Sequence, residues 1–318
     1  MEKAATKENL NKKEPKRPKE KVGDYNRLTA ASPFARIVIN LVFVLFCAAC
    51  VIPFIFVVII SFTDSSSIAE IGYSFFPTKW SLEGYANAFK AGRQIWISLF
   101  NSILVTGLGT LFATSITTLY AYGIYRKSFK LRKLFTWLNF ITMIFGGGLV
   151  PTIIVCKMLG MDNNYAALIV PALMSPFNVI IMRSFFQSSI PGDLIEASYI
   201  DGCGEWRTFG KIVLPITKPG VATIALLYML MYWNDWQLAQ IYIRDDNLIP
   251  LQRLLMIMQQ NAARMLQNSG MPSVEISGIP TENLRMALCV ILVVPIACAY
   301  PFFLRYIVKG LTVGAVKQ

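Results

Sequence analysis

The sequence predicts an all-α integral membrane protein with six transmembrane helices and both termini in the cytoplasm. Three observations predict it: 55% of residues are apolar and only 15% charged, six apolar windows reach bilayer length, and a net positive charge marks the tail and the 123–133 connection while the two long loops are neutral. Histidine is absent, which removes the commonest metal ligand and the usual general base. A triad hydrolase and a His-ligated metalloenzyme are therefore excluded, and no metal site is expected. The formal charge of +12 is split between basic stretches by long apolar runs, so it fits membrane lipid as a partner and not nucleic acid. Five of the six cysteines fall in apolar runs and read as small buried hydrophobes, with no second ligand pair beside Cys47 and Cys50.

A span needs about 20 mostly apolar residues, and windows of that kind run over 37–61, 95–122, 134–157, 165–182, 216–236 and 286–308. The first is too long for a signal-peptide core and has no small-residue cleavage site after it, so it is expected to stay as a helix. Orientation follows from loop charge. Residues 1–36 carry ten basic and five acidic side chains, and 123–133 carries five basic and no acidic ones. The loops 62–94 and 237–285 are balanced at three against three and four against four. Lys and Arg stay on the cytoplasmic side, which places 1–36 and 123–133 inside and the two balanced loops outside. The chain thus divides into a disordered, basic cytoplasmic tail, 1–36, too poor in large apolar residues to fold alone, and a transmembrane domain, 37–318.

The spans are nearly bare of ionisable residues, whereas an ion-coupled carrier places them there to bind its ion. No Gly-x-x-x-x-Gly-Lys-Ser/Thr run occurs, so the chain has no nucleotide site of its own. Energy for any pumping must come from a partner. Pro53, Gly146-Gly147-Gly148, Pro151, Pro171, Pro176 and Pro295 interrupt the spans. They fit either helix packing by small residues or a broken third span beside a polar path.

The connection at about 184–218 mixes Asp193, Glu196, Asp201 and Glu205 with Arg207, Lys211 and Lys218, unlike a loop that hugs lipid. Ser189 as N-cap, Pro191 in the first turn, acids at 193 and 196 and a left-handed cap at Gly202 spell one short helix. A second begins near Gly204, with Trp206, Phe209 and Val213 at helical spacing and Pro215 limiting it. On physics alone the pair fits an amphipathic elbow packed on the ends of its own spans equally well.

Glu196-Ala197-Ser198, then Gly202, then nine residues to Ile212 and Leu214-Pro215 resemble the EAA loop of ABC-importer permeases, departing only at Ser198, a small residue in place of Ala. The resemblance extends over roughly 95–318, through Gly146 to Thr152, Pro176 to Phe186 and Gly310 to Lys317, and is similar to MalG-type carbohydrate-uptake permeases of the Gram-positive oligosaccharide branch. It implies the type I importer permease fold, residence in the bacterial cell membrane, and transport by alternating access without an enzymatic activity of this chain. It also implies partners: a second homologous permease, two cytoplasmic ABC ATPases that hold ATP and Mg, and an extracellular lipoprotein receptor for the sugar. This chain would carry no cofactor. Within the loop, Glu196, Ala197 and Gly202 would dock on the ATPase with Ser198 fitting its groove, and Ile212, Leu214 and Pro215 would hold the second helix against the membrane core.

Sugars show alternating C–H faces and hydroxyls, so their sites combine aromatic rings with amides or carboxylates. Trp233, Asn234, Asp235 and Trp236 at the outer end of the fifth span supply both, with Asn178 as a further candidate. The aromatics also fit an interfacial belt. The outer loop 237–285 is expected to reach toward the receptor. The alternative function, a secondary carrier or channel for a small polar solute, lacks the intramembrane charges and would leave the acidic loop without a purpose. A membrane enzyme lacks a catalytic cluster.

Overall fold

A computed structural model describes residues 32–90, 93–269 and 282–315. Most of the N-terminal tail, and residues 270–281 of the outer loop, lie outside the described residues. Those that are described form helices and turns without a strand; one isolated bridge joins Thr63 and Trp80.

The chain separates into two units, Met1–Ile55 and Phe56–Gln318. The described part of the first is most of helix α1 (Pro33–Ser61). Its side chains from Phe34 to Ile55 are largely exposed although apolar, as expected where the solvent is hydrocarbon. Cys47 and Cys50 share that exposure, so they are not buried as their apolar run implied.

The second unit begins with α2 (Ser65–Ile71) and α3 (Glu83–Lys90), short helices between longer ones. The 33-residue α4 (Arg93–Tyr125) follows, about 50 Å long at 1.5 Å per residue. Beyond it come α5 (Arg132–Ile144), α6 (Leu149–Met158), α7 (Tyr165–Ile169), α8 (Pro176–Ser189), α9 (Gly192–Ile200), α10 (Glu205–Thr208), α11 (Leu214–Ile216), α12 (Lys218–Asn234), α13 (Gln237–Tyr242), α14 (Leu251–Ser269) and α15 (Glu282–Ala315). α12 packs against α4, α8 and α15. Ile224, Tyr228 and Tyr232 of α12 meet Val179, Met182 and Phe186 of α8 in the main core. Gly109 of α4 and Gly220 of α12 make this closeness feasible: a Cβ on either would stand 2.8 Å from the Tyr232 ring or 2.7 Å from Phe185.

Among the described residues, three helices are long and apolar enough to cross a bilayer, over Phe34–Ser61, Arg93–Tyr125 and Glu282–Arg305. The windows 134–157, 165–182 and 216–236, expected as continuous spans, are instead broken. Helices α5 and α6 meet at 119°, the segments Tyr165–Ala172 and α8 at 51°, and Glu205–Ile216 and α12 at 80°; counting each pair as one span raises the number to six. The local causes are readable. Phe145 is extended and Gly148 has φ +84, a conformation glycine adopts without Cβ strain. Pro176 follows extended Ser175. Pro215, which lacks an N–H, follows a π-helical turn at Phe209–Val213; the helix nevertheless runs to Ile216 and turns at Thr217, one step past the expected limit. The loop 237–285, expected as an outer excursion, is largely helical as α13 and α14.

Candidate functional site: a cavity at the broken end of α12 and the elbow behind it

Because the Tyr232 ring lies on Gly109, near the middle of α4, the C-terminal end of α12 stops deep in the bundle. Asp235 is extended there (φ −78, ψ 109). Its Oδ1 accepts the backbone N–H of Gln237 at 2.9 Å and of Leu238 at 3.1 Å, which satisfies donors that a helix start leaves open. The break opens a cavity of about 720 Å³ lined by Asn234, Asp235, Trp236 and Gln240, with Leu149 and Ala172 on its apolar side. Its volume falls in the range of about 300–1,000 Å³ usual for small-ligand sites. The Asp235 carboxylate, the three amides of Asn234, Gln237 and Gln240 and the Trp236 indole offer both acceptors for hydroxyls and a flat face for C–H groups.

Of the five residues proposed for this path, Asn234, Asp235 and Trp236 line the cavity and two do not. Trp233, one position earlier and so turned 100° away, packs among α15 residues and donates its Nε1–H to Leu292 O at 3.1 Å. Asn178 is buried in the first turn of α8. Sequence reading missed Gln240, Leu149 and Ala172. Leu149 directly follows the Gly triplet, a signal that was present; the other two come to the cavity only through the folding of the broken segments.

The expected helix pair after α8 exists as an elbow. Ser189 ends α8 and Pro191, not Ser189, is the N-cap of α9. Gly202 has φ +76; its N–H reaches Tyr199 O at 2.9 Å, and that of Cys203 reaches Ser198 O at 2.9 Å, the paired bonds of a Schellman cap. Glu196 and Ala197 stand exposed. Ser198 faces inward: its hydroxyl donates to Ile195 O at 2.7 Å and lies 3.1 Å from Thr208 Oγ1. A groove-fitting role for Ser198 therefore gives way to one of pinning the two limbs, since burial leaves it nothing outside to touch. Leu214 packs against the main core, Ile212 is half-buried and Pro215 is exposed; Phe209 and Val213 bear the anchoring. The tip presents Ile200, 86% exposed, and Trp206, 78% exposed, neither singled out as an outward-facing residue by sequence reading because spacing alone grouped Trp206 with its buried neighbours.

Behind the tip, Glu205 receives Tyr122 Oη–H on Oε2 at 2.8 Å, and on Oε1 the Arg126 guanidinium at 3.1 and 3.3 Å and Ser128 Oγ at 3.3 Å. Burial alone would raise its carboxyl, but hydrogen bonds from Tyr199, Tyr122 and Arg126, with the Arg126 charge, outweigh it and hold the group below its ordinary value.

A family profile described as binding-protein-dependent transport system inner membrane component matches residues 115–313. The chain is 36% identical over 280 residues to the polygalacturonan/rhamnogalacturonan transport system permease protein YtcP of Bacillus subtilis (strain 168), covering 86% of this chain and 94% of that protein. It is 29% identical to the arabinooligosaccharides transport system permease protein AraQ of Halalkalibacterium halodurans, covering 88% and 95%. Among solved structures, a bacterial ABC transporter involved in import of the acidic polysaccharide alginate superposes with a TM-score of 0.74 at 24% identity, over 87% of this chain and 99% of that one.

Proposed function

Because the chain belongs to the family of binding-protein-dependent transport system inner membrane components, we propose that it is the membrane-spanning permease subunit of an ATP-driven importer for carbohydrates, oligosaccharides in particular. Its place is the plasma membrane, with six spans and both termini inside; α5 with α6 and Tyr165–Ala172 with α8 each make one span, and α12 makes the fifth without Glu205–Ile216, which stays in the cytoplasmic elbow. The cavity at the end of α12 is the observation that supports a polyhydroxylated cargo: Asp235 and Gln240 accept or donate to hydroxyls, and Trp236 covers a sugar face. The permease-type relatives whose names specify saccharides support the same class.

The elbow is the coupling element in this reading. Glu196, Ala197 and Gly202 meet an ATPase subunit that binds ATP and Mg, while Phe209, Val213 and Leu214 hold the elbow to the bundle. A second permease completes the pathway and a receptor delivers the sugar. Nucleotide shifts the inward–outward equilibrium because the ATPases contact the elbow differently in their two states. The test is uptake of labelled oligosaccharide by vesicles containing the complete assembly. Uptake that needs both ATP inside and receptor outside supports the proposal; uptake driven by an ion gradient without ATP overturns it in favour of a secondary carrier.

A further inference from the structure

The contacts of Glu205 and Arg126 point to a mechanical link that neither helix of the elbow possesses alone. Helices α9 and α10 have nine and four residues, too few to hold their shape without tertiary support. Apolar packing of Ile195, Phe209 and Val213 anchors the elbow, but such contacts are non-directional. The polar contacts are directional. One guanidinium, 11% exposed at the end of α4, bonds Glu205 at the start of α10 and the Tyr199 hydroxyl on α9, and its carbon lies 5.3 Å from the Tyr199 ring centroid. The second Glu205 oxygen holds Tyr122 in the last turn of α4. Both limbs are thus tied to one end of α4. The same helix carries Thr117 against Tyr228 about 13 Å further along and Gly109 against Tyr232 about 25 Å further along, at 1.5 Å per residue; Tyr232 lies between Met231 and Asn234, which line the cavity.

We propose that Glu205 and Arg126 are positioning residues that gear the elbow to α4, so that a displacement of the elbow is passed to the cavity-lining end of α12 and not absorbed by the loop. The proposal rests on the permease reading for its source of force. The pair has a second consequence: Arg126 is held by Glu205 and Tyr199, so removing either acceptor loosens one limb only in part, and removing the guanidinium loosens both.

The test uses the complete assembly in lipid, with Glu205→Gln, Arg126→Met and, as the mildest change, Tyr199→Phe. Two quantities are measured: amide hydrogen exchange over residues 196–208, and sugar imported per ATP hydrolysed. The expected result is exchange faster by about tenfold in Arg126→Met and less in the other two, given the strength of hydrogen bonds to charged groups. Import per ATP falls in the same order while hydrolysis continues. Faster exchange with an unchanged ratio overturns the gearing, as does a lower ratio with unchanged exchange, which would place Glu205 in direct contact with the ATPase. If the unaltered assembly shows no ATP-dependent uptake, the permease reading fails by itself, and unchanged exchange in Arg126→Met would still separately refute the link.

Discussion

The hydroxyl of Tyr228 accepts the backbone N–H of Ser175 at 2.9 Å, across 53 positions of sequence, at the point where the segment Tyr165–Ala172 stops and α8 begins. A broken helix inside a bilayer leaves backbone groups that lipid cannot satisfy. Here α12 satisfies them: Tyr232, one turn on, donates its hydroxyl to Ile169 O at 2.9 Å. The break and the two tyrosines are therefore one device, and it fixes the wall of the cavity.

Tyr228→Phe removes the acceptor, leaves the half-buried Ser175 N–H and the Thr117 hydroxyl without this partner, and costs about 1–3 kcal/mol. The midpoint of thermal unfolding of the purified assembly should fall, whereas a Tyr300→Phe control at an exposed position of α15 should leave it nearly unchanged. Equal midpoints for Tyr228→Phe and the unaltered protein would mean that another group takes the Ser175 N–H.

At Gly202 the constraint is handedness and not room, since nothing lies within 4 Å of an added Cβ. A β-branched residue at φ +76 carries a backbone penalty of about 1–3 kcal/mol, whereas Asn tolerates that region. Gly202→Val should abolish ATP-dependent uptake at normal membrane expression and Gly202→Asn should retain most of it. Full uptake by the Val variant would refute the docking role of the turn.

Asp235 does two jobs that substitution can separate. Asp235→Asn keeps an acceptor for Gln237 and Leu238 and loses the charge; Asp235→Ala loses both. If the carboxylate contacts cargo, both variants lose about tenfold in uptake per assembled complex, equivalent to one charge-assisted hydrogen bond, and only Ala also lowers the amount assembled. Undiminished uptake in Asp235→Asn would confine the residue to capping α13.

The Glu205 carboxyl sits below its ordinary value of 4.5, in contact with Arg126, Tyr122, Tyr199 and Ser128. A group lowered on folding contributes stability that is complete above the ordinary value and is lost as pH falls through the lowered one. After correction for intrinsic rates, exchange of the elbow amides should stay flat from neutral pH to about 5 and rise only below about 4.5. A rise near neutrality would contradict the depressed carboxyl.

Sidedness is testable with single cysteines in a background free of the six native ones. Asp246→Cys, near the first turn of α4 through Gln94, should react with an impermeant thiol reagent on intact cells. Lys130→Cys, beyond the other end of α4, should react only after permeabilisation. The reverse pattern would invert the proposed orientation.

The membrane class, the lack of a nucleotide-loop motif and the left-handed turn at Gly202 were legible in the sequence, because each depends on composition or on what one residue's own backbone permits; at Gly146 to Gly148 the sequence allowed a break as one of two readings, and the break before Pro176 was not read from it. The helical spacing around Trp233 could narrow the cavity residues to two or three of four, but it could not say which. Tertiary structure decided that Asn234 and Trp236 line the cavity while Trp233 joins α15, since that depends on where α12 stops, at extended Asp235, and on which neighbours surround its last turn. It also turned Ser198 inward and brought Arg126 to Glu205, 79 positions apart. Neither end of that pair carries a local signal: both read as ordinary loop charges until the helices between them fold back on one another and the water between the two is removed.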